Sequence, residues 1–318
     1  MVNAQEWFDG KYSTAESKRA VERIGPKEEF NKRIEDNIIS IFGGGRPLST
    51  LLLGIDDMKS RTLNENISLE GSLTLKGFLN LELLDISNKK ITTLDVSDCP
   101  QLRELDCSNN QLTNLTISGS NKIEKILCGN NRLSNLDFLK SQNPAKLITL
   151  RMDNNNFPTQ NLKCFTPFIN LRILCISNNP FTGSLKPLRN LSSLKEINIA
   201  DTNIDGGLEY LPDEFFNVNA VASGFNFGRG HFNRRLFCTG NLAKQLSDYK
   251  IEDDSYRNYD WQAWKLDNQE LIKKAREEIE VNELNEESIK LQEWESISKE
   301  IKELYEQLRC NIYLKTHI

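Results

Sequence analysis

The chain has 318 residues, of which 38% are hydrophobic and 27% are charged, an ordinary balance for one large or two modest globular domains. Its formal net charge of -5, from 40 Lys and Arg against 45 Asp and Glu, provides no basic field to attract nucleic acid. No apolar run approaches the ~18 residues of a transmembrane helix. Seven scattered cysteines indicate free thiols, so we expect a cytoplasmic protein that contacts no membrane.

Residues 1–58 are predicted to form an N-terminal helical arm. The segments TAESKRAVERI and PKEEFNKRIEDNIISIF look helical, with Pro26 suited to a helix start and GGGRP to a helix stop. The run Gly43-Gly44-Gly45 lacks the Lys-Ser/Thr that follows a phosphate-binding loop. A flexible hinge is therefore the favoured interpretation of these glycines.

A short pattern recurs along the middle of the chain. Six copies of L-x-x-L-x-L-x-x-N-x-L, with conservative swaps, begin at Leu81, Leu102, Ile123, Leu147, Leu171 and Leu194. Repeat positions 4 and 6 alternate with polar residues, as in a short strand with one buried face. One unit cannot bury that face alone, so we expect stacked copies to form a parallel sheet over a shared core. Cys107 and Cys128 occupy position 6 and should act there as small hydrophobes.

Repeat position 9 is where the chain must turn out of the strand. An asparagine amide both donates and accepts, so it can satisfy the backbone groups that lose their strand partners there. The pattern thus predicts a structural ladder of Asn110, Asn131, Asn155 and Asn179, with Lys89 and Thr202 at its imperfect ends.

We assign the solenoid to residues 59–215 and expect one degenerate copy at its start and another just beyond its end. A degraded copy from about Lys59 would place Thr62 and Asn64 on its strand and cap the core. Another would start at Val218, with Asn226 at the turn. Between the strands, glycines at 71, 183 and 206 precede apolar residues and predict tight bends.

Residues 216–258 are predicted to form a C-terminal cap and loop. Arg229, Arg234 and Arg235 lie beside Phe227 and Phe232 in this segment. The favoured interpretation is a loop covering the end of the core. A small patch contacting phosphate, through which the chain would contact nucleic acid, is the less favoured alternative.

Residues 259–318 are rich in helix formers and lack Gly and Pro. Apolar side chains recur at near-helical spacing in two stretches, and Glu–Lys pairs three or four residues apart decorate the remaining face. Two arrangements fit this tail: a helical hairpin packed on the end of the solenoid, or a coiled coil for self-association.

The sequence lacks the familiar motifs of catalytic, metal-binding and phosphate-binding sites. It has two histidines, His231 and His317, no C-x-x-C, and no G-x-S-x-G, H-E-x-x-H or phosphate-binding loop. We therefore predict no catalytic residues, no metal ligands, no cofactor and no enzymatic activity.

The six copies resemble the leucine-rich repeat. The AQEWFDGKY start at Ala4 and the LEGSL entry at Leu69 add a finer resemblance to large, Asn-rich intracellular fungal families. The resemblance implies an α/β solenoid with short parallel strands on a concave face and an irregular or 3-10 convex side. An N-terminal helical region and a C-terminal helical tail would flank it.

The resemblance also implies a protein-interaction module whose concave face carries the residues between the core leucines. We expect a non-catalytic scaffold or adaptor for an unknown protein partner. The alternative is a regulatory or substrate-recognition subunit of an enzyme complex, such as a phosphatase or ubiquitin ligase. Leu127, Ile173 and Cys175 are expected to form an exposed apolar patch on this face. The predicted partner-binding residues are Asp85, Glu104, Asp106, Lys125, Leu127, Arg151, Asp153, Ile173, Cys175, Glu196 and Asn198.

Overall fold

A computed structural model describes residues 2–11, 13–14, 50–52, 69–117, 121–212, 215, 235–250 and 259–316. The chain divides into two compact units, Met1–Trp264 and Lys265–Ile318. The strands are β1 (Val2–Asn3), β2 (Thr50–Leu52), β3 (Leu69–Thr74), β4 (Leu83–Asp85), β5 (Lys90–Asp95), β6 (Glu104–Asp106), β7 (Asn114–Thr116), β8 (Lys125–Leu127), β9 (Thr149–Arg151), β10 (Ile173–Cys175), β11 (Thr182–Ser184), β12 (Glu196–Asn198), β13 (Asn203–Gly206) and β14 (Arg235–Phe237). The helices are α1 (Ala4–Lys11), α2 (Asp137–Lys140), α3 (Gly240–Gln245), α4 (Trp261–Asp267) and α5 (Gln269–Thr316).

Eight short strands stack side by side in one sheet of the first unit. Their order is β2-β4-β6-β8-β9-β10-β12-β14, and every neighbouring pair is parallel. Each of the six predicted copies contributes one strand in the predicted register, so position 4 of one copy lies beside position 4 of the next. These central residues face the core and are almost fully buried: Leu84, Leu105, Ile126, Leu150, Leu174 and Ile197. The predicted α/β repeat solenoid is confirmed.

The two outermost strands come from segments that the sequence analysis assigned differently. Backbone pairing places Thr50–Leu52 beside β4, although these residues fall within the predicted N-terminal arm. At the other end, Arg235–Phe237 pairs with β12, beyond the copy predicted from Val218. Both segments fit the repeat in sequence, as LSTLLLGID from Leu48 and NRRLFCTGN from Asn233. The predicted strand residues Thr62 and Asn64, the copy from Val218, the arm helices and the glycines at 43–45 lie outside the described residues.

The side opposite the eight strands mixes 3-10 turns with further parallel pairing. Strands β1, β3, β5 and β7 form a four-stranded sheet, and β11 pairs with β13. Short 3-10 turns cover Leu162–Phe165, Lys186–Leu188 and Leu208–Tyr210. The bends expected at Gly71 and Gly183 have left-handed φ values of 85° and 88°. The third such bend falls at Gly207 rather than at Gly206, with a φ of 94°.

Residues 2–11 cap the four-stranded sheet. Strand β1 pairs with β3, and the Asn3 side chain accepts the backbone N–H of Glu6 at the start of α1. Ala4 and Phe8, one helical turn apart, are buried, and Phe8 packs edge to face on Phe78 with ring centroids 6.3 Å apart. The Gln5 side chain accepts the backbone N–H of Thr74 at 2.7 Å. These contacts anchor the N-terminus to the repeats.

The C-terminal tail contains one long helix, so the predicted helical hairpin is wrong. Residues Gln269–Thr316 are helical without interruption for 48 residues. The stretch VNELNEES, where the chain would have had to reverse, contains neither Gly nor Pro. Its two asparagines lower helix propensity only slightly, which is too little to end a helix. None of the helices in the described segments combines the length and apolar character needed to cross a bilayer.

Candidate functional site

The strand face is the side of the eight-stranded sheet that carries repeat positions 3 and 5. Because position 4 points into the core, the residues on either side of it point to the opposite face. Parallel pairing aligns them into two rows, one at each position. Ten of the eleven predicted binding residues lie in these rows, and Asp153 follows at position 7 of its copy. The structure therefore brings the predicted residues together on one surface.

Two carboxylates lie side by side at the β4–β6 end of the strand face. Asp85 and Asp106 are paired in register, and each accepts the backbone N–H of a serine two residues ahead, Ser87 at 2.9 Å and Ser108 at 3.0 Å. Burial raises the pKa of Asp85 to about 6, with a further contribution from the charge of Asp106. Burial also raises the pKa of Asp106. Among the described residues neither carboxylate forms a salt bridge, and the charge of nearby Lys89 only partly offsets the negative charge at this end.

The next strands carry paired charges. Lys125 lies 3.3 Å from Glu104 on the neighbouring strand, and the side chains of both are largely buried. Burial lowers the pKa of Lys125 and raises that of Glu104, because it disfavours each charged form. Glu104 Oε2 is buried and accepts no hydrogen bond from the described residues. The sequence analysis missed a neighbouring ion pair. Arg103 Nη2 lies 2.6 Å from Glu124 Oε1, one repeat position earlier in the same two copies.

A third ion pair corrects the prediction of an exposed apolar patch. Arg151 on β9 reaches Glu196 on β12 at 2.8 Å, so the pair crosses over β10, which lies between these strands. Cys175 on β10 lies beneath it, with its sulfur 3.8 Å from Glu196 Oε1, and is only 1% exposed. Burial raises the pKa of Cys175 to about 12, so it is a protonated thiol. Leu127 and Ile173 are half-buried, and they alone remain of the predicted patch.

The predicted asparagine ladder is present and fixes the chain directly behind the strand face. The amide of Asn131 accepts the N–H of Leu112 and donates to Cys107 O, both in the preceding copy, at 2.9 and 3.0 Å. It also donates to Cys128 O and Gly129 O in its own copy. The amides of Asn110 and Asn155 make equivalent bonds, and the amide of Asn179 accepts the N–H of Asn155 and donates to Met152 O. Each amide thus ties two successive copies together.

The residue before each ladder position has a role that the sequence analysis missed. Position 8 holds a left-handed residue in all six copies, with φ between 50° and 57°. Asparagine and aspartate adopt this conformation more readily than other residues with a side chain. The signal was visible in the sequence, because position 8 is occupied by Asn88, Asn109, Asn130, Asn154, Asn178 and Asp201.

The strand face carries hydrogen-bonding and charged groups but no metal cluster within the described segments. Both histidines lie outside those segments. Of the arginines in the predicted basic patch, Arg235 lies on β14, and Arg229 and Arg234 are outside the described residues. The arrangement is suited to binding through complementary charge and shape.

Comparisons with known proteins identify the repeats. Residues 79–126 match the family described as "Leucine Rich repeats (2 copies)", and residues 170–191 match "Leucine Rich Repeat". No curated protein matches the sequence.

Several solved structures are similar to part of this chain. The plant peptide hormone receptor RGFR1, in complex with RGF2, is 22% identical with a TM-score of 0.41 over 47% of this chain. An internalin, InlF from Listeria monocytogenes, is 17% identical with a TM-score of 0.32 over 44% of this chain. Human 5T4 is 19% identical with a TM-score of 0.35, covering 54% of this chain and 69% of its own. The matches span 25% of the receptor chain and 50% of the internalin.

Proposed function

This chain is a leucine-rich repeat protein, and from that premise we propose that it is a non-catalytic scaffold that binds a partner protein on its strand face. Leucine-rich repeats are in general protein-interaction domains, typically without catalytic activity. The specific face and the scaffold role are our proposal.

The observation that carries the proposal is the Asp85–Asp106 pair, which forms no salt bridge among the described residues and lies beside half-buried Leu127. Two like charges in adjacent register repel, and burial adds to the cost of ionising them. A cationic side chain of a partner would offset both costs and place neighbouring apolar groups against Leu127. Charge complementarity around a small apolar centre is typical of specific protein interfaces.

The fixed ion pairs support the same site. Lys125–Glu104 and Arg151–Glu196 hold long side chains of the strand face in defined positions before any partner arrives. A surface organised in advance loses less side-chain entropy on binding. The strand face therefore presents a preformed pattern, with negative charge at one end and paired charges along the rest.

The test replaces the two aspartates by asparagine. In the Asp85→Asn, Asp106→Asn variant Oδ1 remains as an acceptor for Ser87 and Ser108, so only the charge is lost. We expect capture of the partner from native lysate, measured by quantitative mass spectrometry, to fall at least tenfold. Because the variant removes a buried like-charge pair, loss of binding would not reflect unfolding.

The matched control is Asp95→Asn. Asp95 accepts the backbone N–H of Ser97 in the same local geometry, at 2.9 Å, but lies on β5 in the other sheet. It should leave capture unchanged. Undiminished capture by the double variant, or equal loss with the control, would refute binding at the strand face.

A further inference from the structure

Gly129 is the one residue at repeat position 7 that has no side chain. The other five copies carry Ser87, Ser108, Asp153, Ser177 and Ala200 at this position. The backbone of Gly129 does not require glycine, because its φ lies outside the left-handed region. The missing side chain therefore indicates that another group approaches the chain closely here.

The carboxylate of Asp153 is that group. A Cβ atom on residue 129 would lie 2.8 Å from Asp153 Oδ1, 2.9 Å from Oδ2 and 3.0 Å from Cγ, too close for both to be accommodated. The backbone holds the two copies side by side at this point, since the N–H of Asn130 donates to Asp153 O at 2.9 Å. Glycine at position 129 thus lets the copy from Leu147 place its carboxylate over the copy from Ile123.

The Asp153 carboxylate is free to bind a cation. Among the described residues its side chain accepts no hydrogen bond and forms no salt bridge, although it is half-buried. Arg151, two residues earlier, reaches Glu196 on the opposite side of β9. A carboxylate that has lost part of its hydration without gaining a partner favours a charged donor from another molecule.

Asp153 also places negative charge on a second side of Leu127. Asp106 is the register partner of Leu127 on β6. Gly129 follows two residues later, where alternation along the extended chain puts it on the same face, and the Asp153 carboxylate lies over it. Burial raises the pKa of the Cys128 thiol, and the charges of Asp153 and Asp106 raise it further, so both carboxylates act on the same sulfur. Half-buried Leu127 thus has a carboxylate on two sides.

Building on the proposed function of the strand face, we propose that Gly129 sets its specificity by placing the Asp153 carboxylate as a second anionic contact beside Leu127. The matching partner segment carries a cationic side chain on each side of an apolar one. A segment with a cation on one side only would leave Asp153 unpaired and would bind more weakly. Complementary charges select partners in this way because a charge left unmatched at an interface is unfavourable.

Two fluorescent peptides test this specificity on the full chain by anisotropy titration. The two-sided peptide is acetyl-Gly-Lys-Gly-Leu-Gly-Lys-Gly-amide, and the one-sided peptide has glutamine in place of its second lysine. Wild type should bind the two-sided peptide about three to five times more tightly, the gain expected for one partly exposed ion pair. Asp153→Asn, which keeps the shape of the side chain, should reduce this ratio to about one.

Gly129→Ala is the decisive variant, because it leaves the net charge of the protein unchanged. The Asp153 carboxylate ends a short side chain that can rotate away from the added methyl group, so we expect the variant to remain folded. It should also reduce the ratio to about one, and combining it with Asp153→Asn should change nothing further. The matched control is Gly206→Ala on β13, where an added Cβ meets nothing within 4 Å, and it should keep the wild-type preference.

The outcomes separate this proposal from the one on which it rests. The Asp85→Asn, Asp106→Asn variant should bind both peptides more weakly than wild type. A wild-type chain without preference for the two-sided peptide, or a preference that survives Gly129→Ala, would overturn the specificity assigned to Gly129. Binding of both peptides that is unaffected by Asp85→Asn, Asp106→Asn would instead refute binding at the strand face.

Discussion

Three consecutive asparagines, Asn154, Asn155 and Asn156, show how one residue type takes three roles. Asn154 has a left-handed φ of 50°, which turns the chain out of β9. Asn155 is 8% exposed, accepts the N–H of Leu133 and donates to Cys128 O, Met152 O and Asp153 O. Asn156 is exposed. Position in the repeat, rather than chemistry alone, decides what each amide contributes.

These roles predict a graded response to alanine. Asn155→Ala should lower the free energy of unfolding by about 1–3 kcal/mol, because it leaves buried backbone groups without partners. Asn154→Ala should cost about 1 kcal/mol from left-handed strain, and Asn154→Gly should recover that part. Asn156→Ala should be near neutral. Urea denaturation measures all four, and equal effects at 155 and 156 would contradict the ladder.

Asp85 predicts a dependence of stability on pH. Its pKa is about 6 in the fold and about 3.8 when unfolded, so between these values the folded state binds the proton more tightly. The free energy of unfolding should then fall as pH rises from about 4 to about 6, by roughly 2–3 kcal/mol from this residue.

The comparison variant for this prediction is Asp85→Asn, which cannot titrate at this position. The difference in unfolding free energy between the variant and wild type, followed by urea denaturation, should grow across the same pH window and level off above it. A difference that stays constant with pH, or one that shrinks as pH rises, would contradict the raised pKa.

At the scale of elements, the repeat spacing predicted the six central strands and their register. Alternation at positions 4 and 6 is a local signal, and it fixes which side chains enter the core. Strand β2 was missed because its copy begins at Leu48, 33 residues before the next copy at Leu81, and this interval is much longer than the regular spacing. The second copy missed, from Asn233, begins without an apolar residue.

The strand face was predictable in position but not in exposure. Which residues share the face follows from the period of two along a strand. That Arg151 spans β10 to reach Glu196, and thereby buries Cys175, depends on side chains 45 residues apart in sequence. Likewise, the tail composition indicated helix, but only the unbroken length of α5 decided against a hairpin.

The short helix α1 is expected to contribute to the stability of the repeats, because it packs against residues far from it in sequence. Phe8 is 2% exposed and packs against Phe78, so Phe8→Ala should leave a cavity and cost about 3–5 kcal/mol. Asp9→Ala, an exposed change on the same helix, should cost less than about 0.5 kcal/mol. Chemical denaturation would measure both, and similar small losses would show that α1 does not anchor the repeats.

For the whole molecule, the fold separates two kinds of contact. Within the first unit, ladder amides and core residues join successive copies, while the strand face carries rows of largely buried and half-buried charged groups. In the second unit, α5 carries exposed apolar residues, among them Trp294 and Ile301.

The most direct test of partner binding places a photo-crosslinking amino acid at Leu127 on the strand face, and at exposed Asn114 on β7 as the control. The account predicts that one protein from native lysate is attached at residue 127, that attachment is lost in the Asp85→Asn, Asp106→Asn background, and that residue 114 does not capture it. Capture of the same protein at residue 114 but not at residue 127 would contradict the account.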